Sequence, residues 1–158
     1  LKYTKYLGYL NIIITNQSGI YRKFFTWEDY EKVTYRMLEM ISLPNAINAI
    51  YANGEGPNNN HFKSWRKPNP NMILQATKDF NIDLSKSFLI GDRLSDIQSG
   101  ENAGLKNLIH VFTGHGANER EKVIENYSNK EKKYNLKLVD NLFSLKNGDF
   151  LQDNSFNT

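Results

Sequence analysis

Gly91-Asp92-Arg93-Leu94-Ser95-Asp96 is the stretch around which the chain is organised. Before it runs Ser87-Phe88-Leu89-Ile90, short, mostly apolar and ended by the glycine. After it, Leu94 to Ala103 has helical spacing and stops at Gly104. The pattern predicts a buried strand, a tight turn and a helix, with two carboxylates and an arginine at the turn. Open α/β sheets bind ligands beyond the carboxyl ends of their strands, and Asp92 is expected at such an end. Its carboxylate suits a hard cation, and Asp96 falls one helical turn further on. A purely structural role is open as well, with Asp92 capping the helix that follows.

Two other predicted strand ends carry matching chemistry. Tyr9-Leu10-Asn11-Ile12-Ile13-Ile14 reads as a strand apolar enough to be buried on both faces. It runs into Thr15-Asn16-Gln17-Ser18-Gly19, a polar turn. Thr26 opens a helix in which Asp29 completes a capping-box-like start. Tyr30, Val33, Met37, Leu38 and Ile41 are expected to form its inward stripe, with Pro44 ending it. Ala46 to Ala52 is a second strand, followed by a long irregular stretch from Asn53 to Trp65. That stretch ends at Arg66-Lys67-Pro68, where Asn69 and Pro70 begin the next helix. Beyond the Asp92 turn come a strand over Asn107 to Phe112, a polar helix over Ala117 to Tyr134, a short strand over Leu136 to Val139 and a helical turn over Asn141 to Lys146. Alternating strands and helices predict an α/β fold, a doubly wound parallel sheet with helices on both faces. One domain is expected, a core over residues 1–146 with a frayed tail over 147–158.

Composition narrows the function. The 158 residues are 39% hydrophobic and carry a net charge of +3, long and apolar enough for a real core. None is cysteine, which removes disulfides, thiol catalysis and cysteine-based metal sites within this stretch. No basic stripe interleaves with aromatics, so nucleic acid is not an expected partner. No apolar run approaches membrane-spanning length, so no membrane partner is expected. The strand ends instead assemble the requirements of phosphoryl transfer. Thr15 and Asn16 can donate to an oxyanion, Lys67 supplies a point charge and Arg66 a planar fork. Asp92 supplies a carboxylate for Mg²⁺, an ion that takes few protein carboxylates and keeps waters. Taken singly, each also has a plain reading: a turn threonine, two solvated cations, a helix cap.

The order of the three motifs makes a resemblance specific. Hydrophobic strand with Thr15-Asn16-Gln17-Ser18-Gly19, then Arg66-Lys67-Pro68, then Gly91-Asp92-Arg93-Leu94-Ser95-Asp96 resembles motifs two, three and four of the haloacid dehalogenase (HAD) superfamily. The likeness covers roughly residues 1–145 and is closest to the minimal-cap phosphatases acting on heptose 1,7-bisphosphate or histidinol phosphate. It implies a Mg²⁺-dependent, cytoplasmic, monomeric phosphatase of a small sugar phosphate, working through an aspartyl-phosphate intermediate. It implies that Thr15 and Lys67 stabilise the transferred phosphoryl group, that Asn16, Gln17 and Ser18 touch substrate near the phosphate, and that Arg66 recognises the rest of the substrate. Asp92 would bind Mg²⁺ and Arg93 would lie against substrate or phosphate. Thr15 to Ile20 followed by Phe25-Thr26 resembles the heptose enzymes more, whereas Arg93 is commoner in the histidinol ones.

Two departures qualify what the resemblance implies. The family's nucleophile motif, Asp-x-Asp-x-Thr, precedes motif two, and no Asp-x-Asp occurs in these residues. The nucleophile, the acid/base aspartate and the fold's first strand are therefore expected upstream of Leu1, with a gap in the sheet where that strand belongs. These 158 residues alone are expected to be inactive, and a non-catalytic protein that binds phosphate esters is the alternative. Second, many relatives carry a zinc loop of three Cys and one His ahead of the Arg-Lys-Pro. Here that loop offers only His61, so zinc is not expected. Trp65 either walls the pocket or anchors the loop on the core. Of the other histidines, His115 at a strand end is a better functional candidate than His110 within a strand.

Overall fold

Parallel strands alternate with helices in the computed structural model, which describes residues 1–57, 62–128 and 134–145. The tail over 147–158, His61 and Lys146 lie outside the described residues. The chain divides into two compact units, Leu1–Ala76 and Thr77–Thr158.

In the first unit, α1 (Lys2–Tyr6) leads into β1 (Ile12–Asn16), α2 (Ser18–Tyr21), α3 (Trp27–Ile41), β2 (Ala49–Asn53) and the start of α4 (Asn71–Phe80). β1 and β2 pair in parallel, Thr15 opposite Ala52 and Asn16 opposite Asn53. Thr26 caps α3 reciprocally: its hydroxyl accepts the Asp29 N–H at 3.2 Å, and the Asp29 carboxylate accepts the Thr26 N–H at 3.0 Å. The Thr26 N–H, then the Thr26 hydroxyl donating to the same oxygen at 2.9 Å, hold the Asp29 carboxyl below its usual range. The helix ends at Ile41 with Ser42 in the left-handed region at φ 50°, ahead of Pro44. Two expectations need correction here. Tyr30, Met37 and Ile41 do face inward, but Val33 and Leu38 are exposed and Thr34 takes their place, because the 3.6-residue period aligns 30, 34, 37 and 41. β1 is not buried on both faces either; all five residues are only half-buried, since β2 is its one partner among the described residues. The turn after β1 is also more ordered than expected, with Ser18 and Gly19 already in α2.

In the second unit, β3 (Phe88–Gly91), α5 (Leu94–Ala103), β4 (Asn107–Val111), α6 (Gly116–Ser128) and β5 (Asn135–Val139) form a parallel sheet of order β3-β4-β5. α5 packs on β3 and β4, and α6 on β4 and α5. Leu89, Ile97, Leu105, Leu108, Ile109, Val111, Val123 and Val139 make the core. Ile97 and Leu108 are fully enclosed, each contributing roughly 2 kcal/mol of burial. α5 runs over the expected span and closes on Gly104 at φ 91°. Ile90 is exposed rather than buried: side chains alternate between the faces of the sheet, and β3 is an edge strand among the described residues. α6 is described over Gly116–Ser128, and Tyr134, expected as the end of that helix, lies ahead of β5 outside any helix. The α/β class with parallel sheets is as expected.

Candidate active site

In the first unit the end of β1 is tied to the Arg66-Lys67 segment by side-chain bonds. Asn16 brackets the Lys67 backbone: its Oδ1 accepts the Lys67 N–H at 3.0 Å and its Nδ2 donates to the Lys67 carbonyl at 3.2 Å. The Lys67 ammonium donates to the Ile14 carbonyl at 3.0 Å, which holds a positive charge at the strand end next to Thr15. Gln17 Nε2 donates to the Thr15 hydroxyl oxygen at 2.9 Å. With that oxygen accepting, the Thr15 O–H is left to donate, the polarity an anion needs. The Gln17 N–H donates to the Asn53 carbonyl at 2.6 Å, and the Arg66 guanidinium to the Glu55 carbonyl at 3.1 Å. The fold thus brings Thr15, Asn16, Gln17, Arg66 and Lys67 together, and Ser18 follows as the first residue of α2. The Trp65 ring lies against Tyr51 at 6.1 Å, which favours the anchoring reading of that side chain.

The second unit organises Asp92. Its carboxylate Oδ2 accepts the His115 N–H at 2.7 Å, and its carbonyl oxygen lies 3.2 Å from His110 Nε2. A carbonyl only accepts, so His110 carries its proton on Nε2. Burial, then the charge of Arg120, lowers the His110 pKa and keeps the ring neutral. Burial pushes the Asp92 carboxyl up, but the His115 N–H, the Asp96 side chain, its own N–H and the His115 charge together hold it below the usual carboxylate range. The helix cap is Asp96, whose Oδ2 accepts the N–H groups of Asp92 at 3.2 Å and Arg93 at 3.0 Å; Glu119 accepts that of Leu94 at 3.3 Å. Asp92 therefore does not cap α5, and its ionised carboxylate is held by a turn instead. That turn needs Gly114: at φ 69°, a Cβ there would stand 2.4 Å from Asp92 Oδ2.

A magnesium ion takes one or two protein carboxylates and completes its shell with water and phosphate oxygens, and Asp92 fits that description. Among the described residues no group of three or more His, Cys, Asp or Glu is placed to hold a metal by itself. Arg93 sits at the N-cap of α5, and its charge helps to lower the Glu119 carboxyl, after burial raises it and Lys122 and the Leu94 N–H pull it down.

Sequence reasoning missed the partners Glu55, Ser64, His110 and Gly114. Glu55 and Ser64 are nine residues apart in an irregular stretch, and no periodic signal joins them. The hydrogen bond from His115 to Asp92 comes from its backbone, which any residue but proline provides.

The HAD-hydrolase-like family model matches residues 64–137. A D-glycero-beta-D-manno-heptose-1,7-bisphosphate 7-phosphatase of Helicobacter pylori strain J99 is 44% identical over 109 residues, covering 68% of this chain and 62% of that protein. A D-glycero-alpha-D-manno-heptose-1,7-bisphosphate 7-phosphatase of Photorhabdus laumondii is 38% identical over 130 residues, covering 75% of this chain and 68% of that protein. The chain belongs to the HAD-like hydrolase family. The resemblance read from the three motifs is borne out. The HAD fold is seen as well in the crystal structure of a D,D-heptose 1,7-bisphosphate phosphatase from B. bronchiseptica complexed with magnesium and phosphate, at a TM-score of 0.73 and 23% identity over 89% of this chain and 74% of that one. The chain spans about 62% of the length of the H. pylori relative.

Proposed function

We propose that the protein is a Mg²⁺-dependent phosphatase of sugar phosphates, with a heptose 1,7-bisphosphate as substrate. The observation that carries this reading is the hydrogen-bonded group Thr15–Gln17 and Asn16–Lys67, a hydroxyl donor and an ammonium fixed at one strand end, in a chain whose relatives are named heptose-bisphosphate phosphatases. Thr15 and Lys67 neutralise charge that builds on the transferred phosphoryl oxygens. Gln17 turns the Thr15 proton outward, and Ser18 approaches the phosphate at the start of α2. Asn16, with its amide engaged by Lys67, serves by holding the lysine backbone. Arg66 takes the remainder of the substrate, and Arg93 lies against substrate or phosphate. Asp92 holds Mg²⁺, which when bound supplies charge neutralisation to the phosphate. An aspartyl-phosphate mechanism needs an aspartate nucleophile, and no Asp-x-Asp occurs in these 158 residues. We assign the work to a cytoplasmic monomer whose core spans residues 1–146; among the described residues no helix is long and apolar enough to cross a membrane.

The test is phosphate release by the protein purified from its source, with D-glycero-D-manno-heptose 1,7-bisphosphate and histidinol phosphate in competition. The expected result is Mg²⁺-dependent release with preference for the heptose. Preference for histidinol phosphate would move the substrate but keep the reaction. The missing Asp-x-Asp supports a second reading, a protein that binds phosphate esters without turnover; calorimetric binding with no release would select it.

A further inference from the structure

We infer that Glu55 is a positioning residue that closes the stretch between β2 and Arg66 as a hydrogen-bonded staple and thereby aims the Arg66 guanidinium. The inference rests on the reading that Arg66 meets the substrate. One carboxylate oxygen of Glu55 accepts from Asn53 Nδ2 at 2.9 Å and from the Ser64 hydroxyl. Asn53 returns the bond, its Oδ1 accepting the Glu55 N–H at 2.7 Å. Asn53 and Ser64 are both buried, at 5% and 0% exposure, so these polar groups have been taken out of water and are costly to leave unpaired. Two routes then run from Glu55 to Arg66. The Ser64 oxygen accepts the Arg66 N–H at 3.0 Å, fixing its backbone, and the Glu55 carbonyl accepts from Arg66 Nη1 at 3.1 Å, fixing the plane of its fork. The Ser64 carbonyl is held in turn by Asn71 Nδ2 at 2.8 Å, at the first turn of α4. A carboxylate that binds both ends of a loop does the work of a cross-link without cysteine or metal, and charge-assisted bonds are the strong ones. An arginine held at its backbone and its fork loses less rotamer freedom when a substrate arrives.

The experiment uses the native full-length protein with Glu55→Ala, Glu55→Gln and Ser64→Ala. Limited trypsinolysis reads the staple whether or not the protein turns over substrate. Glu55→Ala should be cut after Lys63 at least about fivefold faster than wild type, with Glu55→Gln, which can still accept from both partners, close to wild type. Kinetics on the heptose bisphosphate read the aim of Arg66: Glu55→Ala should raise KM about tenfold with kcat within about twofold, and Ser64→Ala should raise it by a smaller factor. Ser64→Ala keeps the test open if Glu55→Ala does not fold. Wild-type protease resistance in Glu55→Ala and Ser64→Ala, or a loss confined to kcat, would overturn the inference. If wild-type protein releases no phosphate, the phosphatase reading falls and the protease comparison alone decides the staple.

Discussion

The two units carry similar strands in dissimilar surroundings. Ile12-Ile13-Ile14 of β1 and Leu108-Ile109 of β4 are equally apolar, yet every residue of β1 is half-buried while four of the five in β4 are buried. α3 has no buried residue at all, whereas α5 buries five, Asp96 and Ile97 among them. The buried hydrophobic residues of the first unit are Ala46, Met72 and Ala76. The second unit's sheet, by contrast, has helices that cover it. Among the described residues β1 has β2 as its one neighbour, which leaves its apolar side chains partly exposed. Equal apolarity along a strand therefore does not fix its burial; the helices packed on the sheet do.

Lys67→Ala in the first unit and Asp92→Asn in the second should each lower phosphate release by the native protein about a hundredfold or more, one through the lost charge and the other through lost Mg²⁺ binding. Steady-state rates across a Mg²⁺ series separate them: raised Mg²⁺ should partly restore Asp92→Asn and leave Lys67→Ala unchanged. An effect in only one of the two would mean that the units do not serve one reaction.

Stability gives the next contrast. Leu108→Ala should cost about 3 kcal/mol, because a fully enclosed side chain leaves a cavity. Ile13→Ala in the same 158 residues should cost about 1 kcal/mol, since its side chain is only partly buried. Denaturant melts of the two variants check this, and equal costs would erase the contrast. Gly114→Ala should cost about 1–2 kcal/mol, from a positive φ and a Cβ driven into Asp92, and should weaken Mg²⁺ binding with it. Calorimetric Mg²⁺ titration reads the second part. Thr26→Ala should cost about 1 kcal/mol, from the lost cap on α3.

What the chain discloses before folding follows the reach of each interaction. Leu94–Ala103 with its glycine stop, the Thr26 cap and the strands around Asp92 were legible because each depends on neighbours within about one turn. The family membership is legible in the order of the three motifs around Thr15, Arg66-Lys67 and Asp92. The inward face of α3 was misread at Val33 and Leu38, where several apolar residues competed for one stripe. The bonds of the Asn16 amide to the backbone of a residue 51 positions away are seen only in the fold. Glu55, Ser64 and the turn at Gly114 were invisible for the same reason, as their partners are chosen by tertiary proximity rather than spacing.

The measurement that bears most directly on the account is ³¹P NMR of D-glycero-D-manno-heptose 1,7-bisphosphate incubated with the native protein, with Mg²⁺ and with excess chelator. The account predicts loss of the C7 phosphate signal and growth of inorganic phosphate with Mg²⁺ alone, the C1 phosphate remaining. Two phosphate signals unchanged in both samples would contradict it.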